Sequence, residues 1–518
     1  MKKRVGILII VMALVLLILP IILAQDESQK VEEAYRCLEA KVNASGGACS
    51  ALSSVEEKAF SLLALSYNPK IQKECKDSLN SQKDSAGCWP KGSCELKETA
   101  LSILALSELQ EDVQKSREWL LNQKMVPKDL IWFLEIDQSG ADTNMSCTLS
   151  YDNSDYQIVI GIDKKISGNP GVCFAKAYDD YWLQISDSCY EKNFTLSCSE
   201  DFISALLYKE EESSTIYVSS RTESAPAEGK IVHIIKSWCF HQPGSSKCNY
   251  EGSLWAASVL GKLGEDVSLF LPYLEASSSN NQEFFPSAFL YMMTENNKYF
   301  QEIMEEHHSS GYWRISSSPN NKFYDTALGL FALRDVSASQ KDDAKTYLLR
   351  DDIQDDNGCW RNVRDTAFIL YATWPKAPIL GDCEDLGYTC KFDCSSDETE
   401  KPYSCPAGKI CCGLASQSAG IDYCEDFGYY CVSSSNCMEE DVLDNFLCAG
   451  MKICCKEKKE DKSCSEQGGI VCSEDKECTS IPVPASDTTD CCLTSCVETD
   501  ELPGKTAVSY THLTLPTN

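Results

Sequence analysis

Basic residues are in short supply: Lys and Arg total 47 against 78 Asp and Glu, a formal net charge of −31 over 518 residues. A surface that follows a phosphate backbone needs clustered Lys and Arg. The balance therefore argues against a nucleic-acid partner, and repulsion would keep the chain off an anionic membrane surface. Histidine is scarcer still, with five residues, and His233, His241, His307 and His308 fall in no recognisable zinc spacing. No Gly-x-Ser-x-Gly nucleophile elbow occurs. Long apolar runs are missing apart from one at the N-terminus.

That run follows Lys2-Lys3-Arg4, extends from Val5 to Ala24, and has the layout of a signal peptide. At about 20 residues it is also long enough for an uncleaved anchor. Both readings export the remainder. Thirty cysteines agree, because disulfides persist in oxidising compartments. Asn43, Asn144 and Asn193 each begin an Asn-x-Ser/Thr glycosylation sequon.

A hydrophobic content of 43% is enough for a large core and several domains. From 53 to 373 the chain repeats one phrase, a Gly-x-Trp turn followed by a polar residue and an Ala-rich apolar helix. The copies are Gly87-Cys88-Trp89 with Glu98-Thr99-Ala100-Leu101, Gly311-Tyr312-Trp313 with Asp325-Thr326-Ala327-Leu328, and Gly358-Cys359-Trp360 with Asp365-Thr366-Ala367-Phe368. A weaker copy at 252–257 keeps the helix without the turn. Such periods mark stacked units that bury a shared core. The pattern predicts buried helices starting near Val55, Glu98, Glu251, Phe285, Asp325 and Arg364, apolar on nearly all faces. It places half-buried helices at 71–82, 113–123, 231–238, 267–274, 299–306 and 344–349. In 231–238, Ile231, Ile234, Ile235 and Trp238 recur at helical spacing.

The segment Gln354-x3-Gly358-x-Trp360 resembles the Q-W repeat of squalene and terpenoid cyclases, whose α/α toroid is shared with protein prenyltransferases and complement-type thioester domains. Gln82-x4-Gly87-x-Trp89 is one residue longer, and His307 replaces Gln before Gly311. The resemblance implies a mainly α chain: an α/α toroid of helical hairpins in two parts, 25–128 and 229–374, after a leader or anchor at 1–24. It implies fold more strongly than activity. The cyclases' Asp-x-Asp-Asp acid is absent, as are the prenyltransferase zinc set and the thioester Gly-Cys-Gly-Glu-Gln.

Between 129 and 228 the alternation changes to period two, which predicts a small β insertion stapled by cysteines, with a helix over 202–208. After Pro375-Lys376-Ala377-Pro378 come three cysteine-dense modules, 383–413, 424–456 and 464–497, whose pairing the spacing leaves open. Cys383-Glu384-Asp385-Leu386-Gly387-Tyr388 recurs as Cys424-Glu425-Asp426-Phe427-Gly428-Tyr429, and both copies end in vicinal cysteines, Cys411-Cys412 and Cys454-Cys455. The segment 507–518 continues none of this and reads as a non-native tail.

Glu98, Asp325 and Asp365, with Tyr250, Tyr324 and Arg364, are expected around the mouth of the toroid, where relatives admit ligands. The plainer role of the three acids is helix-start chemistry, since carboxylates meet free N–H groups and the positive dipole end there. Asp351-Asp352-x-x-Asp355 matches a magnesium-binding pattern, but its place before a turn suits solvated acids. His307-His308 reads the same way. The pairs Cys37–Cys49 and Cys239–Cys248 are close enough to close short loops, and Cys88–Cys359 would staple first repeat to last. No cofactor or metal is implied. The expected function is an exported, surface-associated binding or scaffold protein. Its partner would be an extracellular protein, a glycan or a lipid-like ligand, with membrane attachment only through the N-terminal segment or a missing C-terminal anchor. The alternatives are an enzyme acting on an isoprenoid or glycan, and an inhibitor-like role for the cysteine modules.

Overall fold

The computed structural model describes residues 27–379, apart from 44–46, 139–142 and 212, and the segment 383–498 with further interruptions. The leader at 1–24 and the tail at 507–518 lie outside the described residues. Two compact units emerge. One gathers the described residues of 1–123, 240–267 and 281–457, the other those of 124–239, 268–280 and 458–518.

The first unit carries helices α1 (27–42), α2 (Val55–Leu65), α3 (Pro69–Ser81), α4 (Leu96–Ser107), α5 (Gln114–Leu121) and α6 (Tyr250–Lys262). After α7 (Leu271–Ala276), which belongs to the second unit, it continues with α8 (Pro286–Thr294), α9 (Asn297–Glu305), α10 (Lys322–Ala332), α11 (Ser339–Leu348) and α12 (Val363–Thr373). The even-numbered helices are buried on nearly every face, as their Ala- and Leu-rich sequences require. Among them, α2 packs on α4, α4 on α6, α6 on α8, α8 on α10, α10 on α12 and α12 on α2. The odd-numbered helices bury one stripe each: Ile71, Cys75 and Leu79 on α3, and Tyr299 and Ile303 on α9.

Each Gly-x-Trp turn is a hydrogen-bonded joint. The Trp89 backbone N–H donates to Thr99 Oγ1 at 3.0 Å, and the Thr99 hydroxyl donates back to the Trp89 carbonyl at 3.2 Å. Trp313 with Thr326 and Trp360 with Thr366 repeat the exchange. The indole N–H of each reaches back to the helix before the turn: Trp89 to the Leu79 carbonyl, Trp313 to Ile303 and Trp360 to Leu348, at 2.9, 2.7 and 2.9 Å. The glycines hold φ of +101°, +88° and +89°, and a Cβ on them would meet Lys115, Asp343 and Glu33 backbone at 3.0, 2.8 and 3.0 Å. Only glycine fits both conditions. The weak fourth copy has the same joint with other side chains, since the Phe240 N–H and carbonyl exchange bonds with Ser253 Oγ at 2.9 and 3.3 Å.

The second unit begins with a two-residue strand, β1 (Lys124–Met125). Its two five-stranded sheets are built from β2 (Leu130–Gln138), β3 (Met145–Tyr151), β4 (Ser154–Ile160), β5 (Ile166–Gly168), β6 (Phe174–Ala177), β7 (Trp182–Ile185), β8 (Asn193–Cys198), β9 (Phe202–Glu210), β10 (Tyr217–Ala225) and β11 (Ile231–Ile234). One sheet runs β10-β9-β2-β7-β6 and the other β11-β8-β3-β4-β5, with antiparallel pairing throughout. Alternate residues such as Met145, Cys147, Leu149 and Tyr151 turn inward, and the inner faces of both sheets share one core with Trp132, Phe194, Leu196 and Tyr208.

The mainly α assignment is therefore corrected. Among the described residues, twelve helices stand beside two five-stranded antiparallel sheets, a mixed fold rather than an α/α toroid with a small insertion. Two segments read as helices are strands. Residues 202–208 form most of β9, whose Leu206 faces Leu134 of β2 across the ladder, and 231–234 form β11, paired with β8. Helical spacing of isoleucines could not distinguish these from short strands.

The disulfides correct two expected pairings, Cys37–Cys49 and Cys88–Cys359, as well. Cys37 joins Cys359, Cys49 joins Cys75, and Cys88 closes its own turn with Cys94. The first and last segments of the helical unit are thus covalently linked, but from α1 rather than from Cys88. Cys239 and Cys248 are both oxidised. No described cysteine is free, which places the chain outside the reducing cytosol. No described helix is long and apolar enough to cross a membrane.

Two outcomes follow. Thr326→Val, nearly isosteric, leaves the Trp313 N–H and carbonyl without their hydroxyl partner and should cost about 1–3 kcal/mol in a denaturant titration, with Thr326→Ser recovering most of it. Non-reducing peptide mapping should recover Cys37 joined to Cys359, and a Cys88–Cys359 peptide would refute the arrangement.

Candidate functional site

Aligning the buried helices on their joint hydroxyls places Glu56, Lys97, Glu251, Phe285, Tyr324 and Arg364 at one position, two residues before Thr99, Ser253, Thr326, Thr366 and their counterparts. All of these but Phe285 form one electrostatic layer. Lys97 Nζ lies 2.8 Å from Glu251 and 3.2 Å from Glu56, whose other oxygen is 3.4 Å from Arg364. Both cations face the Tyr324 ring, at 5.3 Å for Lys97 and 4.6 Å for Arg364. Arg364 also holds Asp365 at 2.9 Å and donates to Asn320 Oδ1 at 3.0 Å, while Asn321 Nδ2 donates to Asp365 at 2.7 Å.

Two residues after Lys58, Thr99, Ser253, Ser287, Thr326 and Thr366 stand Phe60, Leu101, Trp255, Phe289, Leu328 and Phe368. Here Phe60 stacks on Phe368 at 4.2 Å, and Trp255 meets Phe289 edge-on at 4.9 Å and Phe60 at 6.4 Å. All six are buried. The space between the helices is thus filled by side chains directly beneath the charged layer.

The predicted residues divide. Tyr324, Arg364 and Asp365 belong to the layer. Asp325 turns to its own loop, accepting from the Ile315 N–H at 3.2 Å and the Ser318 hydroxyl at 3.0 Å. Tyr250 packs near Phe284, and its neighbour Glu251 makes the ionic contact. The helix-start role belongs to other residues: Ser54 caps α2 in a capping box, and Asn249, Asn321 and Asn362 cap α6, α10 and α12. Glu56, Lys97 and Glu251 went unnoticed in the sequence because their side chains differ from copy to copy. The available signal was their shared register beside the repeated Thr or Ser.

Glu98 borders a half-open polar pocket of about 270 Å³, lined also by Ser53, Ser54, Lys58, Gln82 and Glu95. Burial, reinforced by the nearby Glu56 carboxylate, raises the Glu98 pKa to about 7. One Glu98 oxygen and the Tyr324 hydroxyl are buried without a hydrogen-bond partner. Desolvation likewise raises Asp325 to about 6 and pushes the Tyr324 phenol far up. The pocket suits a small polar molecule that donates to a carboxylate or accepts from a protonated one.

The metal-like patterns resolve into local chemistry. Asp351 pairs with Lys30, Asp352 with Arg350 and Asp355 with Lys41. Asp355 also accepts from the Asn357 and Cys359 N–H groups, the turn role that Asp84 plays before Trp89. The described cysteine clusters with ligand-like spacing consist of oxidised sulfurs, which offer no thiolate. His307 packs edge-on against Trp313, and His308 Nδ1 accepts from the Ser310 N–H. In the other unit, buried His233 bonds Ser204 Oγ at 2.9 Å, and burial lowers its pKa to about 4. Asn43, Asn144 and Asn193 are solvent-exposed.

Neither a family model nor a curated protein matches the chain. The identification with terpenoid cyclases and prenyltransferases is accordingly withdrawn: it rested on short turn motifs that the structure explains as joints, within a mixed fold.

Glu98 makes the site's stability pH-dependent. The folded chain holds this proton more tightly than the unfolded chain, whose pKa is near 4.5. Its contribution is therefore most favourable below 4.5 and is lost as the pH rises through about 7. Glu98→Gln should raise the thermal midpoint relative to wild type by a few degrees at pH 8 and leave the two proteins close together at pH 4. A difference independent of pH would refute the assignment.

Proposed function

We propose that the chain is an exported, surface-associated binding or scaffold protein that works through its outer surfaces. The observation carrying this reading is the aromatic layer, because Phe60, Trp255, Phe289 and Phe368 occupy the space where a substrate channel between the helices would run. Above it, the ion pairs of Lys97 and Arg364 would have to break before a ligand could enter. At the opposite helix ends, the second cysteine-rich module is seated on the same unit. Ser435 Oγ donates to the Met293 carbonyl at 2.9 Å, Asn436 to Glu295 at 2.9 Å, and Lys262 to the Cys448 carbonyl at 3.3 Å. Such an arrangement suits a rigid platform stable outside the cell, with dense disulfides resisting proteolysis. Its partner is an extracellular protein, with a glycan or lipid-like ligand as the other class.

The test is turnover. Purified chain incubated with farnesyl diphosphate and with an oligosaccharide panel should leave both unconverted by mass spectrometry. Conversion that disappears in Glu98→Gln would replace this reading with an enzyme acting at the Glu95–Glu98 pocket.

A further inference from the structure

The first two cysteine-rich modules share one disulfide pattern and one strand ladder, although the segment between the second and third cysteines is two residues longer in the second module. Cys383–Cys411, Cys390–Cys405 and Cys394–Cys412 in the first match Cys424–Cys454, Cys431–Cys448 and Cys437–Cys455 in the second, pairing first to fifth, second to fourth and third to sixth. The strand registers agree as well. Cys390 faces Cys411 as Cys431 faces Cys454, and Lys391 faces Ile410 as Val432 faces Ile453. One residue further along each strand, Phe392 corresponds to Ser433 and Lys409 to Lys452.

In the second module this corner is a docking surface already in use. Ser433 is fully buried. Lys452 Nζ lies 3.2 Å from Glu295 and 3.9 Å from Asp335. Ser435 and Asn436 bond the Met293 carbonyl and the Glu295 carboxylate. The seat is the C-terminal end of α8, where free carbonyls and the negative dipole end favour a cation. In the first module the same corner is open to solvent. Phe392 is 74% exposed, Lys409 is exposed, and its ammonium lies 5.9 Å from the Phe392 ring.

We propose that the Phe392–Lys409 corner of the first module docks onto the acidic C-terminal end of a helix in an extracellular partner protein. Lys409 would meet the partner's carboxylate and terminal carbonyls as Lys452 meets Glu295. Phe392 would cover apolar surface beside them, as aromatic anchors do at the centre of an interface. The seat in the helical unit is occupied by the second module, so the first must find its seat elsewhere. This inference deepens the binding reading above. Its assay is separate, since substrate conversion would overturn that reading without changing a peptide titration.

The experiment titrates full-length chain into a fluorescent stapled helix copying residues 286–297, which reproduces the α8 end, and reads anisotropy. Saturable binding is expected, weakened at least tenfold by Lys409→Glu and by Phe392→Asp, kept by Lys409→Arg, and reduced by salt or by Glu→Gln at the peptide's acidic end. Both positions are exposed, and near-UV circular dichroism checks that the variants stay folded. The proposal fails if no saturable binding occurs, or if both variants bind like wild type. It also fails if Lys452→Glu alone abolishes binding, which would mean exchange at the second module. Sedimentation showing self-association that Phe392→Asp dissolves would overturn it in favour of a second copy of the chain.

Discussion

The helical unit depends on one exchange of hydrogen bonds: a Thr or Ser hydroxyl at a helix start takes the N–H and returns its own hydrogen to the carbonyl of a buried aromatic residue. Four joints are made this way, three with Trp and one with Phe240. A turn buried beneath the next helix would otherwise strand two backbone groups away from water, at a cost of a few kcal/mol each by the usual range for unpaired polar groups. The single hydroxyl removes both costs. In the three Trp joints the indole N–H then anchors the preceding helix, so each of these sets the spacing of three consecutive elements.

With the joints in register, every buried helix presents equivalent positions at equal depth, and layers appear that no single repeat encodes. Two residues before the hydroxyl, the layer is ionic, with Lys97 and Arg364 balanced by Glu56, Glu251 and Asp365. Two residues after, it is aromatic. Glu98 lies beside the ionic layer, where burial, reinforced by the Glu56 carboxylate, raises its pKa against the opposing pull of Lys97. The same repetition that lets the hydroxyl position be uniform lets the layer position vary. A joint needs the same chemistry in every copy, whereas a closed layer needs complementary charges.

Much of the helical unit was legible because burial leaves a mark on composition. The Ala- and Leu-rich starts near Glu98, Asp325 and Arg364 all lie in helices, and Gly87, Gly311 and Gly358 all occupy turns with positive φ. The strand-rich unit was underestimated at both ends. Ile231, Ile234 and Ile235 fit a helical stripe as well as they fit a strand, and only the ladder with β8 selects between them. Phe202–Glu210 is buried along most of its length, so its alternation is hidden and it reads as a helix. For the site, repetition drew attention to Glu98, Asp325 and Asp365. Apart from Asp365, which Asn321 also reaches, the residues that interact across the helices sit one place earlier, where the copies differ.

What the sequence determined by itself is whatever local stereochemistry and redox environment enforce: glycine where φ is positive, apolar residues where a helix is enclosed, and enough cysteine to require an oxidising compartment. The tertiary structure alone decided which cysteine meets which, that Cys37 rather than Cys88 reaches Cys359, and that an acid at a helix start bonds a loop or a neighbouring Arg instead of its own helix. The Cys37–Cys359 link depends on a distance between segments 322 residues apart. Such distances are set by the summed packing of every joint between them, and no local pattern records that sum.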